Sequence, residues 1–228
     1  MAAESSTDRP VFDFGKNCEG MVLAGDHWYY QGFDVTNSAN AKDGIRLCGS
    51  SCTVDNVRTY HNGNTGLQIS RFTSTDTREE WPSNNLVLNC TSYGNADEGY
   101  EDADGFAAKL TVGDGNVFDG CIAHHNADDG WDLFAKSATG PIGVITIRNC
   151  VSFGNGTLSN GVHYANGDMN GFKLGGSGVG TPHVVLKCLS FNNGATGFTD
   201  NNNPSGLTIM NATAWGQDKS ANKGNFLH

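Results

Sequence analysis

The sequence predicts an all-β, single-domain parallel β-helix, a solenoid whose coils stack strand on strand. Three observations predict it. A seven-residue phrase recurs along the chain, a second short phrase follows each copy at a variable distance, and the composition favours short strands joined by turns.

Composition sets the frame. The chain has 228 residues with 31 Gly, 5 Pro and abundant Asn, a mix that disfavours long helices and supplies turns. No Pro/Ser-rich linker, charge block or shift in composition divides it, so one domain is expected. The formal net charge is −10, and no basic stripe is present to neutralise phosphates, so nucleic acid is not an expected partner. A polyanionic substrate would need local positive charge or a metal at its site. No run of 18 or more apolar residues suggests a transmembrane helix, and a monomer without a membrane partner is expected. Met1-Ala2-Ala3-Glu4 has neither the charged nor the apolar part of a signal peptide.

The first phrase reads NVRTYHN at 56–62, NCTSYGN at 89–95, GCIAHHN at 120–126, NCVSFGN at 149–155 and KCLSFNN at 187–193. NATAWGQ at 211–217 is a degenerate copy. The second phrase is a polar residue, Gly and an apolar residue: DGIRL at 43–47, TGLQI at 65–69, DGFAA at 104–108, DGWDL at 129–133, NGFKL at 170–174 and TGFTD at 196–200. Alternating apolar residues in LVLNC, VITIRNC and VVLKC give strand periodicity. The β-helix is expected over 11–217, with a disordered N-terminal segment at 1–10 and a C-terminal tail at 218–228.

Stacked coils turn equivalent positions into columns about 4.8 Å apart. Val57, Cys90, Cys121, Cys150, Cys188 and Ala212 form a buried apolar column. Asn62, Asn95, Asn126, Asn155, Asn193 and Gln217 form an amide ladder at a bend. The Gly of the second phrase marks either a positive-φ turn or a close backbone approach. Cys18, Cys48 and Cys52 lie outside the Cys column and are the disulfide candidates.

The columns also place polar residues. Before the Gly stand Asp43, Thr65, Asp104, Asp129, Asn170 and Thr196, so Asp104 and Asp129 are stacked neighbours. Two residues after it stand Arg46, Gln68, Ala107, Asp132, Lys173 and Thr199. Phe106, Trp131 and Phe172 beside them should point inward, so this polar column points to the outer face. Asp104, Asp128, Asp129 and Asp132 then converge, and four carboxylates so close need a cation. Oxygen-only ligation suits Ca²⁺. EDADG at 101–105 matches only part of an EF-hand loop, because the twelfth position is Thr111 rather than Glu.

The stretch DGFAAKLTVGDGNVFDGCIAHHNADDGWDLFAK at 104–136, with NGFKLGG at 170–176, closely resembles polysaccharide lyase family 9 pectate lyases. The resemblance covers about Gly25 to Asn211. It implies a right-handed parallel β-helix with an Asn ladder and a catalytic Ca²⁺ held by Asp104, Asp128, Asp129 and Asp132. It implies Lys173 as the base that removes the C5 proton of polygalacturonate, leaving 4,5-unsaturated products. It also implies a secreted protein whose signal peptide has been removed. The chain is short for that family and shows no evident N-terminal capping helix.

Arg46, Lys109 and Lys136 are expected to hold the anionic substrate, with Arg71 a further candidate. Lys173 has a structural alternative as an ion-pair partner of Asp132. Trp131 is expected in the core, His124 in an inward aromatic column, and His125 in a structural role beside the ladder. Two rival functions remain open: a polygalacturonase-like hydrolase with paired carboxylates, and a non-catalytic carbohydrate-binding β-helix stapled by Ca²⁺. A uronan epimerase would need a second group to return the proton, and none stands out.

Overall fold

The computed structural model describes residues 9–163, 166–217 and 224–227. Its 23 described strands form three wholly parallel sheets, and each sheet takes every third strand of the chain. The first sheet has eight strands, Val11–Asp13 to Thr213–Trp215, and carries the seven-residue phrase. The second has eight, Met21–Leu23 to Phe226–Leu227, and carries the Gly phrase. The third has seven, Tyr29–Gln31 to Thr208–Met210. One coil is thus Leu86–Leu88, Thr91–Tyr93 and Phe106–Ala108, each strand pairing with its equivalent in the next coil.

The seven-residue phrase is a strand between two left-handed corners. Its first residue, Asn56, Asn89, Gly120, Asn149, Lys187 or Asn211, has φ between 51° and 66°. Its sixth, His61, Gly94, His125, Gly154, Asn192 or Gly216, has φ between 53° and 66°. Asn and Gly dominate because they enter this region at least cost. His125 is therefore a corner residue.

The Asn ladder forms as expected. Side-chain amides donate upward from Asn62 to Asn95 at 3.0 Å, Asn95 to Asn126 at 2.8 Å, Asn126 to Asn155 at 3.0 Å, and Asn155 to Asn193 at 2.8 Å. Gln217 Oε1 accepts from Asn193 at 3.2 Å. A second ladder, unforeseen in the sequence, joins Asn85 to Asn116 at 2.9 Å before the third sheet. Of the two readings of the Gly column, close approach holds. A Cβ on Gly66, Gly130 or Gly171 would collide with the hydroxyl of Ser92, Ser152 or Ser190, and none of these glycines has positive φ.

Cys90, Cys121, Cys150 and Cys188 are buried in one column. Each thiol donates to a carbonyl of the preceding coil, for example Cys121 Sγ to Val87 O at 3.3 Å. The disulfide candidates Cys18, Cys48 and Cys52 form no bridge, and all seven cysteines are free. Cys48 and Cys52 stand at the ends of strands in different walls, where Cys52 Sγ meets Gly25 O at 3.1 Å.

Inside, Phe106, Trp131, Phe172 and Phe198 stack, and the exposed ring of Phe226 continues the stack at its end, with centroids 4.7–5.1 Å apart. The aromatic column of the first sheet, by contrast, points outward. Ser92, Ala123 and Ser152 take the interior, leaving Tyr93, His124 and Phe153 stacked half-buried on the outer surface. The small residue must face inward because the Gly column passes directly beneath it.

At the ends, residues 1–8 and 218–223 of the expected loose segments lie outside the described residues. Arg9 is tied down, its Nε 2.8 Å from Asp34 Oδ1. Within the expected tail, Phe226–Leu227 adds a strand paired with Phe198–Thr199.

Replacing Asn126 by Ala removes amide contacts to Asn95 and Asn155 at a fully buried position. Denaturant unfolding of Asn126→Ala should show a loss of about 2–4 kcal/mol. A loss below about 0.5 kcal/mol would mean the ladder contributes little.

Candidate active site

The site is built on the second sheet where three coils meet. Asp132 ends Trp131–Asp132, and Lys173 ends Phe172–Lys173. Parallel pairing sets Asp132 directly opposite Lys173 and Ala107 opposite Asp132. Ala107 leaves room on one side of Asp132. Asp104 and Asp129 each precede the Gly of their coil, and Gly105 N donates to Asp129 O at 2.9 Å.

The distance from ladder Asn to column Gly alternates along the chain. It is short from Asn62 to Gly66, Asn126 to Gly130 and Asn193 to Gly197, but long from Asn95 to Gly105 and Asn155 to Gly171. The central coil with Asp128, Asp129 and Asp132 therefore lies in a notch between two insertions. Asn166 Nδ2 of one insertion donates to Gly99 O of the other at 2.9 Å. This cover corrects the expectation of an open outer face. Asp132 and Lys173 do point away from the core, yet they are only 3% and 7% exposed.

One carboxylate oxygen each from Asp104, Asp129 and Asp132 lies within 4.8 Å of the others. Asp128 does not share that cluster. It is buried, and its Oδ1 accepts from the backbone N–H of Asp168 at 2.5 Å and of Met169 at 3.4 Å. Asp129 Oδ1 accepts from Asn170 N at 2.6 Å and Asn170 Nδ2 at 3.0 Å. Asp129 Oδ2 and Asp132 Oδ1 are buried and accept no hydrogen bond. Lys173 Nζ stands 3.3 Å from the first and 3.9 Å from the second, and 2.9 Å from Asp168 Oδ2. The Asp132 pairing weighed for Lys173 is thus the longest of its three contacts. The ring of Phe134 lies 5.6 Å from the same ammonium.

Burial shapes the charges. It raises the carboxyl of Asp104 to about 6 and that of Asp129 to about 7, and neighbouring aspartates add to the rise. Burial and the charge of Asp129 hold Asp128 above the usual carboxylate range. For Lys173, burial favours the neutral amine, but Asp129, Asp132, Asp128 and Asp104 outweigh it and hold the group well above the usual lysine range. Buried carboxylates with untied oxygens, more numerous than the ammoniums beside them, form a donor set that fits a metal ion.

The cations expected at the substrate separate into two groups. Arg46 and Lys136, together with Arg71, line a cleft of about 290 Å³ with Gln68 and Ser70. Among the described residues none of these three takes part in an ion pair. Lys109 lies elsewhere, with its Nζ 2.7 Å from Asp104 Oδ2 and 3.1 Å from Asp132 Oδ2. Sequence reading missed Asp168 and the positioning role of Asn170. Asn170 was visible as a member of the Asp129 column. Asp168 lies in an insertion, where column stacking carries no signal.

A family model described as the Pel9A-like, right-handed β-helix region matches residues 1–226. The chain belongs to this family. Pectate lyase L of Thermoclostridium stercorarium is 51% identical over 203 residues, covering 89% of this chain and 16% of that protein. Pectate lyase L of Paenibacillus polymyxa (strain SC2) is 47% identical over 220 residues, covering 94% of this chain and 49% of that protein. The crystal structure of pectate lyase Pel9A matches with a TM-score of 0.79 at 32% identity, covering 96% of this chain and 57% of that one. This Pel9A-like chain thus spans half or less of the length of these two curated relatives. The family resemblance and the right-handed β-helix expected from the sequence are borne out.

The raised carboxyls give a pH test. Between about pH 4 and 7, Asp104 and Asp129 bind more protons folded than unfolded, so the metal-free fold loses their contribution as pH rises. Protons and a cation compete for the same oxygens. With Ca²⁺ as the probe ion, the rise in melting temperature should be small near pH 4.5, grow to about pH 7, and then level off. Calorimetry with Ca²⁺ or chelator reads this directly, and an equal shift at both ends of the window would contradict it.

Proposed function

We propose that this Pel9A-like β-helix is a pectate lyase that cleaves polygalacturonate by Ca²⁺-dependent β-elimination. The observation that carries the reading is the meeting of Lys173 Nζ with the untied oxygens of Asp129 and Asp132. A base and a cation site on neighbouring coils can flank one sugar ring.

The C5 proton of a uronate is hard to remove because the adjacent carboxylate resists further negative charge. Asp104, Asp129 and Asp132 would hold a Ca²⁺, which would supply Lewis-acid charge to that carboxylate and offset the aspartate charge that keeps Lys173 protonated. Lys173 then accepts the C5 proton through its neutral amine. The C5–H electrons form the C4=C5 double bond as the C4–O bond breaks, and the leaving oxygen takes up a proton. The insertion that carries Asp168 fixes the amine, since Asp168 Oδ2 is 2.9 Å from Nζ. Arg46, Arg71 and Lys136 offer charge to further carboxylates of the polymer. A polymer is not taken up whole, so the proposed place of action is outside the cell.

The inverting hydrolase alternative is disfavoured by spacing. An inverting enzyme needs carboxyl groups about 6.5–9.5 Å apart to admit a water. Here the triad oxygens lie within 4.8 Å of one another. A module that only staples itself with Ca²⁺ leaves the burial of Lys173 without a role.

Polygalacturonate incubated with the protein and Ca²⁺ should gain ultraviolet absorbance from the unsaturated product, and chelator should abolish the gain. Lys173→Ala should lower the rate about 10²–10⁴-fold while keeping the Ca²⁺-induced rise in melting temperature. Arg71→Ala should raise KM more than it lowers kcat. Reducing ends without absorbance would install the hydrolase instead.

A further inference from the structure

Lys109 was expected to touch substrate, and its surroundings give it another task. It follows directly on Phe106–Ala108, and its side chain is 13% exposed. Both of its ion-pair partners are carboxylates of the site, Asp104 Oδ2 at 2.7 Å and Asp132 Oδ2 at 3.1 Å. Neither the cleft of Arg46, Arg71 and Lys136 nor the neighbouring one around Glu19, Asp43 and Arg46 includes it.

Two features of the cluster depend on this ammonium. The first is orientation. Asn170 ties Asp129 Oδ1 and leaves Oδ2 without a donor, while Lys109 ties Asp132 Oδ2 and leaves Oδ1 without one. Lys109 thus does for Asp132 what Asn170 does for Asp129. Each carboxylate turns one oxygen to the protein and one to the space beside Lys173.

The second is charge. Asp104, Asp128, Asp129 and Asp132 are buried with Lys173, and Lys109 is part-buried beside them. Asp168 also pairs with Lys173, but its side chain is 59% exposed and screened by water. With every group ionised, the four buried carboxylates against two ammoniums leave two negative charges, the complement of one divalent ion. Without Lys109 the excess would be three. A buried excess of that size both strains the metal-free fold and attracts a cation more strongly.

We infer that Lys109 is a positioning residue of the cation site, a resident counter-ion that orients Asp132 and Asp104 and limits the site's excess charge to that of one divalent ion. This rests on the cation reading proposed above. It has the consequence that Lys109 weakens ion binding while supporting the fold before the ion arrives.

The test needs Ca²⁺ alone and no substrate. Lys109→Met keeps an unbranched side chain one atom shorter and removes its charge. Titration calorimetry should show Ca²⁺ bound about tenfold or more tightly. In chelator the melting temperature should fall by roughly 5–10 °C. Lys109→Arg should restore both quantities toward wild type, which a packing role would not require. Should Lys109→Met not fold in chelator, Lys109→Met combined with Asp104→Asn restores the excess of two and should fold. Unchanged Ca²⁺ affinity and melting with a raised KM for polygalacturonate would make Lys109 a substrate contact and overturn the inference. Weaker Ca²⁺ binding in Lys109→Met would overturn the charge argument. If the wild type itself shows no Ca²⁺ binding, the cation reading fails, a result distinct from either of these.

Discussion

Parallel pairing of each coil on the next is the constraint from which the rest follows. It brings every side chain about 4.8 Å from its equivalent, whether or not the two attract. Apolar groups and rings benefit, as in the interior stack from Phe106 to Phe198. Amides benefit as well, because each is both donor and acceptor, and the ladder from Asn62 to Gln217 uses both functions. Carboxylates do not benefit. Asp104 above Asp129 is a stacked like-charge pair sealed from water, and the fold keeps it only beside two ammoniums and a ring of hydrogen-bond donors.

That contrast separates scaffold from site. Along the first sheet, from Asn56 to Gln217, the solution to stacking is the same in every coil, with a left-handed corner, a strand, a second corner and an amide. Along the second sheet it changes. Thr65, Asp104, Asp129 and Asn170 share one column and cannot all be satisfied in the same way. Thr65 and Asn170 are neutral hydrogen-bonding ends to a charged middle. Local frustration of this kind, confined to two coils of a regular stack, is where chemistry is expected.

Much of this was legible in the sequence because a solenoid converts spacing into position. The ladder, the Cys column, the inward rings and the pairing of Asp132 with Lys173 follow from register alone. The failures have two causes. The ring of His124 suggests an inward position, whereas the close pass of Gly105 beneath Ala123 admits only a small residue there. The exposure of Lys173, the partner Asp168 and the shape of the notch depend on insertions without a repeat, whose course no column records. Lys109 fell between the two. It lies one residue past its strand, so register fixed its coil but not the direction of its long side chain.

The two bridged insertions also bear on how such a protein changes over generations. Adding residues inside a strand or corner would shift every column above it, so the stack has a fixed metre. The junction after each ladder Asn has no such metre, and here it ranges from Asn126–Gly130 to Asn155–Gly171 without disturbing the pairing on either side. Heredity can therefore edit the walls of the notch and leave the cluster at its floor untouched. New polymer preferences can arise by rewriting loops, with the proton-transfer geometry passed on intact.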